Sequence, residues 1–245
     1  MSNKNSLPMV SFNEIVSLDF GLYIKRAGKT SYNGASRSLD FETVPGRSGD
    51  LIIDNKRFQN ILISYEFAFL ESPTKSFEQR THDIKKWLMS TPNYCRLWDS
   101  YDAYYIRYGV FVDEMQFDED IRGWGEFTAT FNCKPFVYPR SGLETFSFSG
   151  SANCSNPCFL ASKPYMKIFG NGNITLMVNN NSFLFEDVES YIEIDSEMMN
   201  CYKGVVPQNH KMKTPFFPEF VPGMNSISSV GSVSRIEVIP RWCEL

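Results

Sequence analysis

Histidine is almost missing from this chain: His82 and His210 are the two imidazoles in 245 residues. That scarcity counts against two chemistries. A Ser-His-Asp triad needs a base held between a nucleophile and a carboxylate. Here His82 lies on the polar side of a candidate helix, His210 lies in the loop-like "PQNHKMK", and no G-x-S-x-G elbow occurs. A zinc site needs four ligands at finger spacing; Cys154 and Cys158 could supply two, and no second pair follows. No metal and no cofactor are expected. Basic excess is lacking as well. The chain has 24 Lys+Arg against 28 Asp+Glu, a net charge of −4, which argues against a dedicated nucleic-acid binder. No apolar run approaches the length of a membrane span. The opening "MSNKNSLPMVSF" has no apolar core of a secretory signal. Folding in a reducing cytoplasm is therefore expected, with Cys95, Cys133, Cys154, Cys158, Cys201 and Cys243 as free thiols. The N-x-S/T matches at Asn153, Asn173 and Asn180 then carry no meaning.

What the chain has in quantity is rings. Aromatics make up 15% of it, and 21 residues are Phe. Such content suits β-sheet cores and large interfaces, and it suits sugar sites equally, so composition leaves both open. Segment 61–69, "ILISYEFAF", puts Ile61, Ile63, Tyr65, Phe67 and Phe69 on one strand face and Ser64 and Glu66 on the other. Segment 104–112 puts Tyr104, Ile106, Tyr108, Val110 and Val112 on one face. Segment 125–133 sets Phe127, Ala129, Phe131 and Cys133 against Glu126, Thr128, Thr130 and Asn132. Three period-two patterns predict an antiparallel sheet with one buried face. Between the first two lies a predicted helix over 77–89, with capping-box spacing at Ser76 and Gln79 and an apolar stripe of Phe77, Ile84, Trp87 and Leu88.

The stretch "FETVPGRSGDL", 41–51, sits between apolar segments. Gly46 and Gly49 are too close for a phosphate loop, and no Lys-Ser/Thr follows. It reads as a structural turn. Pro45 presets φ at the first corner, Gly46 takes the positive φ of the second, and Gly49 serves a following bulge or left-handed position. Arg47 sits at the exposed apex, solvated or paired with a neighbouring subunit.

Acids cluster at 113–120 ("DEMQFDED"), 185–190 and 193–197. Paired carboxylates can hydrolyse glycosides, but nothing marks one as buried, and solvated faces are the simpler reading. From 139 to 163 the texture turns Ser/Gly/Asn/Pro-rich. It reads as a domain junction plus the first strand of a second domain, at 146–148. After it, "YMKIFG" and "NITLMV" flank a turn at Gly170-Asn171-Gly172. "SFLFEDV", "YIEID", "NCYKG" and "SRIEVIPRW" follow, a pattern that suggests a compact β-sandwich.

These pieces together resemble the distal tail protein family of long-tailed bacteriophages (siphophages). That family has "G-x-Y-x" followed by "L-x-F-E-x-V-P-G-R-D-G-x-L"; here stand "GLYIKR" at 21–26 and "LDFETVPGRSGDL" at 39–51, with Ser48 in place of the usual acid. "KPYMKIFGNGNITLMVNN", "YIEIDSEMMNCYKG", "PEFVPGMNSIS" and "VIPRWCEL" are similar to its later motifs, in the same order.

The resemblance implies a mainly β protein. Its N-terminal part, 1–140, would be a β-sandwich or split-barrel ring domain with one α-helix, related to tail-tube subunits. Its C-terminal part, 141–245, would be a galectin-like β-sandwich, shaped like a carbohydrate-binding module. It implies a non-enzymatic hub in the virion, made in the host cytoplasm, and a ring, a homohexamer. The ring would contact the tail tube, the tail-tip or tail-associated protein and the tape-measure protein, and would pass DNA through its lumen. No specific nucleic-acid site and no membrane insertion are expected. Asp113, Glu114, Asp118, Glu119 and Asp120 are the lumen-facing candidates, because carboxylates repel phosphate. The competing reading is a lectin-like module that contacts the host surface.

Overall fold

The computed structural model describes residues 7–29, 34–70, 74–119 and 124–245. Contacts divide the chain into two units, Met1–Val137 with Leu245 and Tyr138–Glu244, each with its own core. The expectation of a mainly β chain holds, with one α-helix among the described residues.

The first unit contains β1 (Val10–Phe12), β2 (Ile15–Val16), β3 (Leu22–Lys29), β4 (Arg37–Glu42), β5 (Leu51–Phe58), β6 (Ile61–Leu70), α1 (Phe77–Leu88), β7 (Cys95–Asp99), β8 (Tyr105–Phe111), β9 (Asp118–Glu119) and β10 (Trp124–Cys133). The main sheet runs β2-β1-β7-β8-β10-β6-β3, with β9 on β10. Ile63, Tyr65, Phe67 and Phe69 of β6 and Phe127, Ala129, Phe131 and Cys133 of β10 are buried on one face. Helix α1 starts on its capping box, Ser76 with Gln79, and buries Ile84, Trp87 and Leu88 against that face. The Trp87 indole N–H donates to the Phe12 carbonyl at 3.0 Å, and its ring stacks on Phe20.

β8 corrects the sequence reading. The side carrying Tyr104, Ile106, Tyr108, Val110 and Val112 is not the core side. Gly109 pairs with Cys133 and Phe111 with Phe131, and both partners are fully buried. Directly opposed residues share a sheet face, so Gly109 and Phe111 point inward. Arg107 joins them, opposite the buried Leu97. Apolar residues occupy both sides of this strand, and its neighbours chose between them.

Beneath the sheet lies a buried ion pair. Asp99, at the end of β7, accepts from Lys29 Nζ at 2.9 Å and from the Tyr65 hydroxyl at 2.6 Å. Its other oxygen accepts from the backbone N–H groups of Tyr101 and Asp102, each at 3.0 Å. Burial pushes the Asp99 pKa up, but the hydrogen bonds from Tyr65 and Lys29 and the lysine charge outweigh it and hold the group below its ordinary value.

The second unit contains β11 (Tyr138–Pro139), β12 (Phe146–Phe148), β13 (Ser151–Asn156), β14 (Tyr165–Val178), β15 (Asn181–Val188), β16 (Tyr191–Asp195), β17 (Asn200–Lys203), β18 (Val206–Pro207) and β19 (Gly223–Ile239). The expected strand at 146–148 is β12, and the stretch 139–163 holds a second strand, β13, that the sequence reading missed. β12 and β13 both pair with β19, and Asn156, Cys158 and Ser162 are buried.

The expected turn at Gly170-Asn171-Gly172 is also corrected. It is a corner inside the single strand β14, with register shifts against β15 and β19. Before the corner β14 pairs with β16, and after it with β15. One long sheet thereby folds into two layers over one core, as strands do when they switch sheets at a bend. A Cβ at Gly170 would sit 2.3 Å from the Ser232 carbonyl oxygen, and Gly231 across from it has φ 115°. The two glycines mark a close backbone approach rather than a chain reversal. All six cysteines are free, and burial pushes the thiols of Cys133, Cys158 and Cys201 up to about 12.

Asp99 contributes stability because its folded pKa is depressed. That contribution is present above the unfolded value of about 4 and is lost as pH falls through the folded value. Asp99→Asn is expected to cost about 3–5 kcal/mol at neutral pH, the usual cost of breaking a buried pair, and to flatten the acid limb of stability. Urea unfolding of both proteins between neutral and acidic pH checks it. An unchanged midpoint would refute the role given to the pair.

Candidate functional site

Two surfaces of the first unit remain unabsorbed by its core. The first is the ribbon β4–β5, a two-stranded sheet apart from the main one. Its turn is built from local chemistry. The Arg47 N–H donates to the Val44 carbonyl at 3.2 Å, which places Pro45 and Gly46 at the two corners, and Gly46 has φ 80°. That is the geometry of a type II turn. Gly49 has φ 90°, and Thr43 donates to Asp50 across the turn at 3.2 Å. Arg47 is exposed at the apex. Further along, Asn55 donates to Asp40 at 2.9 Å, and Arg37 lies over the Phe58 ring.

The ribbon's apolar residues are uncovered. Phe41 and Ile52 pair directly across the strands, and each is 61% exposed. Leu51, Ile53 and Val44 are exposed beside them. An isolated two-stranded ribbon is marginal in water, and uncovered strands with apolar side chains invite pairing with another chain.

The second surface is the outward face of β6 and β10. Glu66 pairs with Thr128, and Ala68 with Glu126. The segment after β8 runs along the β10 edge, where the Val112 N–H donates to the Thr130 carbonyl at 3.1 Å. Met115 and Phe117 of this segment turn toward the core, and Asp113 and Glu114 stay exposed. The Thr130 hydroxyl donates to Asp113 at 2.8 Å. The result is an open, acidic depression of about 360 Å³ lined by Glu66, Asp113, Glu114, Gln116, Glu126 and Lys25. Lys25 pairs with Glu126.

The fold thus brings Asp113 and Glu114 beside Glu66 and Glu126, from different strands. The alternation of β6 and β10 had already put those two glutamates outward; strand register alone joined them to the loop. Of the other acids in the run, Asp118 and Glu119 form β9, paired with Glu126 and Gly125, and Asp120 lies outside the described residues. Neither histidine reaches this face: both are exposed, His82 on α1 and His210 in a short 3-10 turn. No cluster of three or more metal-ligand side chains occurs among the described residues, and none of their helices is long and apolar enough to cross a membrane.

No protein-family model matches the sequence, and no curated protein matches it. Solved structures do. The Dit protein (gp 19.1) of phage SPP1, described as a paradigm of the hub adsorption apparatus of phages infecting Gram-positive hosts, is similar with a TM-score of 0.72 at 9% identity. The match covers 98% of this chain and 100% of that one. A chain of the phage P2 baseplate in its activated conformation, seen with Ca and with Sr, is similar with a TM-score of 0.54 at 10% identity, over 95% of this chain and 96% of that one. The chain therefore has the fold of phage distal-tail hub proteins, shared along nearly its whole length.

A Cβ at Gly46 would meet nothing within 4 Å, so strain at its φ, not crowding, sets the cost of substitution. Gly46→Val is expected to destabilise the turn by about 1–3 kcal/mol and leave the core of the first unit folded. Faster proteolytic nicking within 43–50, with an unchanged main thermal transition, is the readout. Nicking at the wild-type rate would overturn the assignment of the turn.

Proposed function

We propose that this chain is the subunit of a ring-shaped hub at the distal end of a phage tail. In this reading the ring joins the tail tube to the tail-tip or baseplate proteins and the tape-measure protein, and DNA crosses its lumen. The observation that carries the reading is the fold shared from end to end with a phage hub protein, 98% of this chain on 100% of that one. The structural neighbours are hub and baseplate proteins, which supports a structural and non-enzymatic role in the virion.

The two surfaces of the first unit fit the proposal. A ring needs a heterologous contact, in which one patch of a subunit meets a different patch of the next. The ribbon β4–β5 is suited to one half of that contact: it projects Phe41 and Ile52 outside the core, and a neighbouring copy would cover them. Closure of the rotation, in a hexamer, would stop growth into a fibre. The acidic face of Glu66, Asp113, Glu114 and Glu126 is suited to line the lumen, together with Asp118, Glu119 and Asp120. A channel of carboxylates repels phosphate, so DNA would slide rather than stick.

Electron microscopy and light scattering of the purified protein, alone and mixed with its tail-tip partner, test the proposal. A ring is expected in the mixture. Phe41→Asp with Ile52→Asp should abolish it while leaving the thermal transition of the monomer unchanged. A closed two-fold dimer and no ring under either condition would sink the reading.

A further inference from the structure

β8 is apolar on both sides, and the core of the first unit covers one of them. Its inward side, Gly109 and Phe111, faces the aromatic core. Its outward side carries Tyr108 and Val110. Register extends that side across the sheet: Val110 stands opposite Asn132, Asn132 opposite Leu62, and Tyr108 opposite Arg96. Leu62 is 55% exposed, and Val112, just beyond β8, is 51% exposed. Tyr94 is exposed near them. Its hydroxyl accepts from the Asn60 amide at 2.6 Å, and the same amide donates to Asn132 at 2.7 Å. A strand that reads as a near-continuous apolar run is the pattern of one covered on both faces. A contiguous exposed apolar surface marks an interaction site.

The ribbon β4–β5 is the complementary piece. Phe41 and Ile52 lie outside the core, and a two-stranded sheet needs a further layer to be stable. Its distal part, 39–54, carries four carboxylates, Asp40, Glu42, Asp50 and Asp54, against the single cation Arg47. The outward face of the main sheet is divided by charge. Toward one end lie Glu66, Asp113, Glu114 and Glu126, which would repel those carboxylates. On the β7–β8 side lie Arg96, paired with Glu14, and Lys134, whose ammonium lies over the rings of Tyr94 and Tyr108. Apolar area and charge select the same half of the face.

We infer that the β4–β5 ribbon of one copy docks on the outward side of β8 in the next copy, over Leu62, Tyr108, Val110 and Val112. The inference rests on the ring reading and assigns the acceptor half of its contact. The ribbon becomes the second layer of a β-sandwich completed between two chains, with Phe41 and Ile52 against β8. Donor and acceptor are different patches of one chain. The contact is therefore head-to-tail and repeats around a ring, where a self-complementary patch would close a dimer. The ribbon's carboxylates meet Lys134 and Arg96 at the rim of the apolar area. The acidic end of the face stays uncovered.

Crosslinking mass spectrometry on the ring formed with the tail-tip partner tests it. Unlabelled and isotopically labelled protein are mixed before assembly, and a carbodiimide joins lysine amines to carboxylates in contact. Mixed-isotope links from Lys134 to Asp40, Glu42, Asp50 or Asp54 are expected. Leu62→Asp, at an exposed position, should abolish the ring and leave the thermal transition of the monomer unchanged. The links are read on the unsubstituted protein, so a folding defect in the variant does not decide the outcome. A ring whose ribbon carboxylates link only to other lysines or to the tail-tip partner would overturn the inference, as would a ring that survives Leu62→Asp; both leave the hub reading standing. Absence of any ring from the unsubstituted protein would overturn both.

Discussion

Each unit is organised around one aspartate at the end of a strand. Asp99 closes β7 and Asp195 closes β16, and each accepts two backbone N–H groups from the turn that follows it. Each also holds a cation from far along the chain. Lys29 reaches Asp99, and Arg241 forks onto both oxygens of Asp195 at 2.7 and 2.8 Å. A carboxylate saturated in this way tolerates burial, because its charge is met on every side. Both groups are held below their ordinary pKa against the opposing effect of burial. Removing either carboxylate would leave a lysine or arginine facing two orphaned turn N–H groups.

The pair in the second unit joins motifs that stand far apart along the chain. "YIEID" supplies Asp195 and Glu193; "PRW" supplies Arg241 and Trp242. Glu193 accepts from the Tyr165 hydroxyl at 2.6 Å and from the Gly204 N–H at 3.1 Å. Trp242 packs on Phe220, the last residue of the "PEF" in "PEFVPGMN". Asn225 of that same motif is fully buried, binding the backbone of Val221 and Gly223 and the side chain of Asn179. Motifs that look weak singly are the contacting faces of one polar frame around an apolar core.

The first unit distributes its residues differently. The inward face of the sheet is saturated with rings and closed by α1, so anything it offers a partner must come from the outward face or from the ribbon. Toward Glu66 and Glu126 the outward face is polar and acidic, and the ribbon is apolar. Two surfaces of such different character on one subunit suit two different neighbours, as the proposed ring requires.

Period-two patterns were legible in the residues alone, and they located β6 and β10 with the correct inward faces. The capping box located α1. The mainly β architecture and the hub-like fold also followed from the ordered motifs. The inward side of β8 was not legible, because apolar residues stand on both sides of it and only its register with Phe131 and Cys133 decides. Nor was the corner in β14: Gly170-Asn171-Gly172 serves a hairpin turn and a bend between layers equally well, and the close approach of Gly231 settles which. The acidic depression required the tertiary structure for the same reason. Local sequence sets which face of a strand is polar, but the neighbours across the sheet, far apart along the chain, determine which polar groups meet.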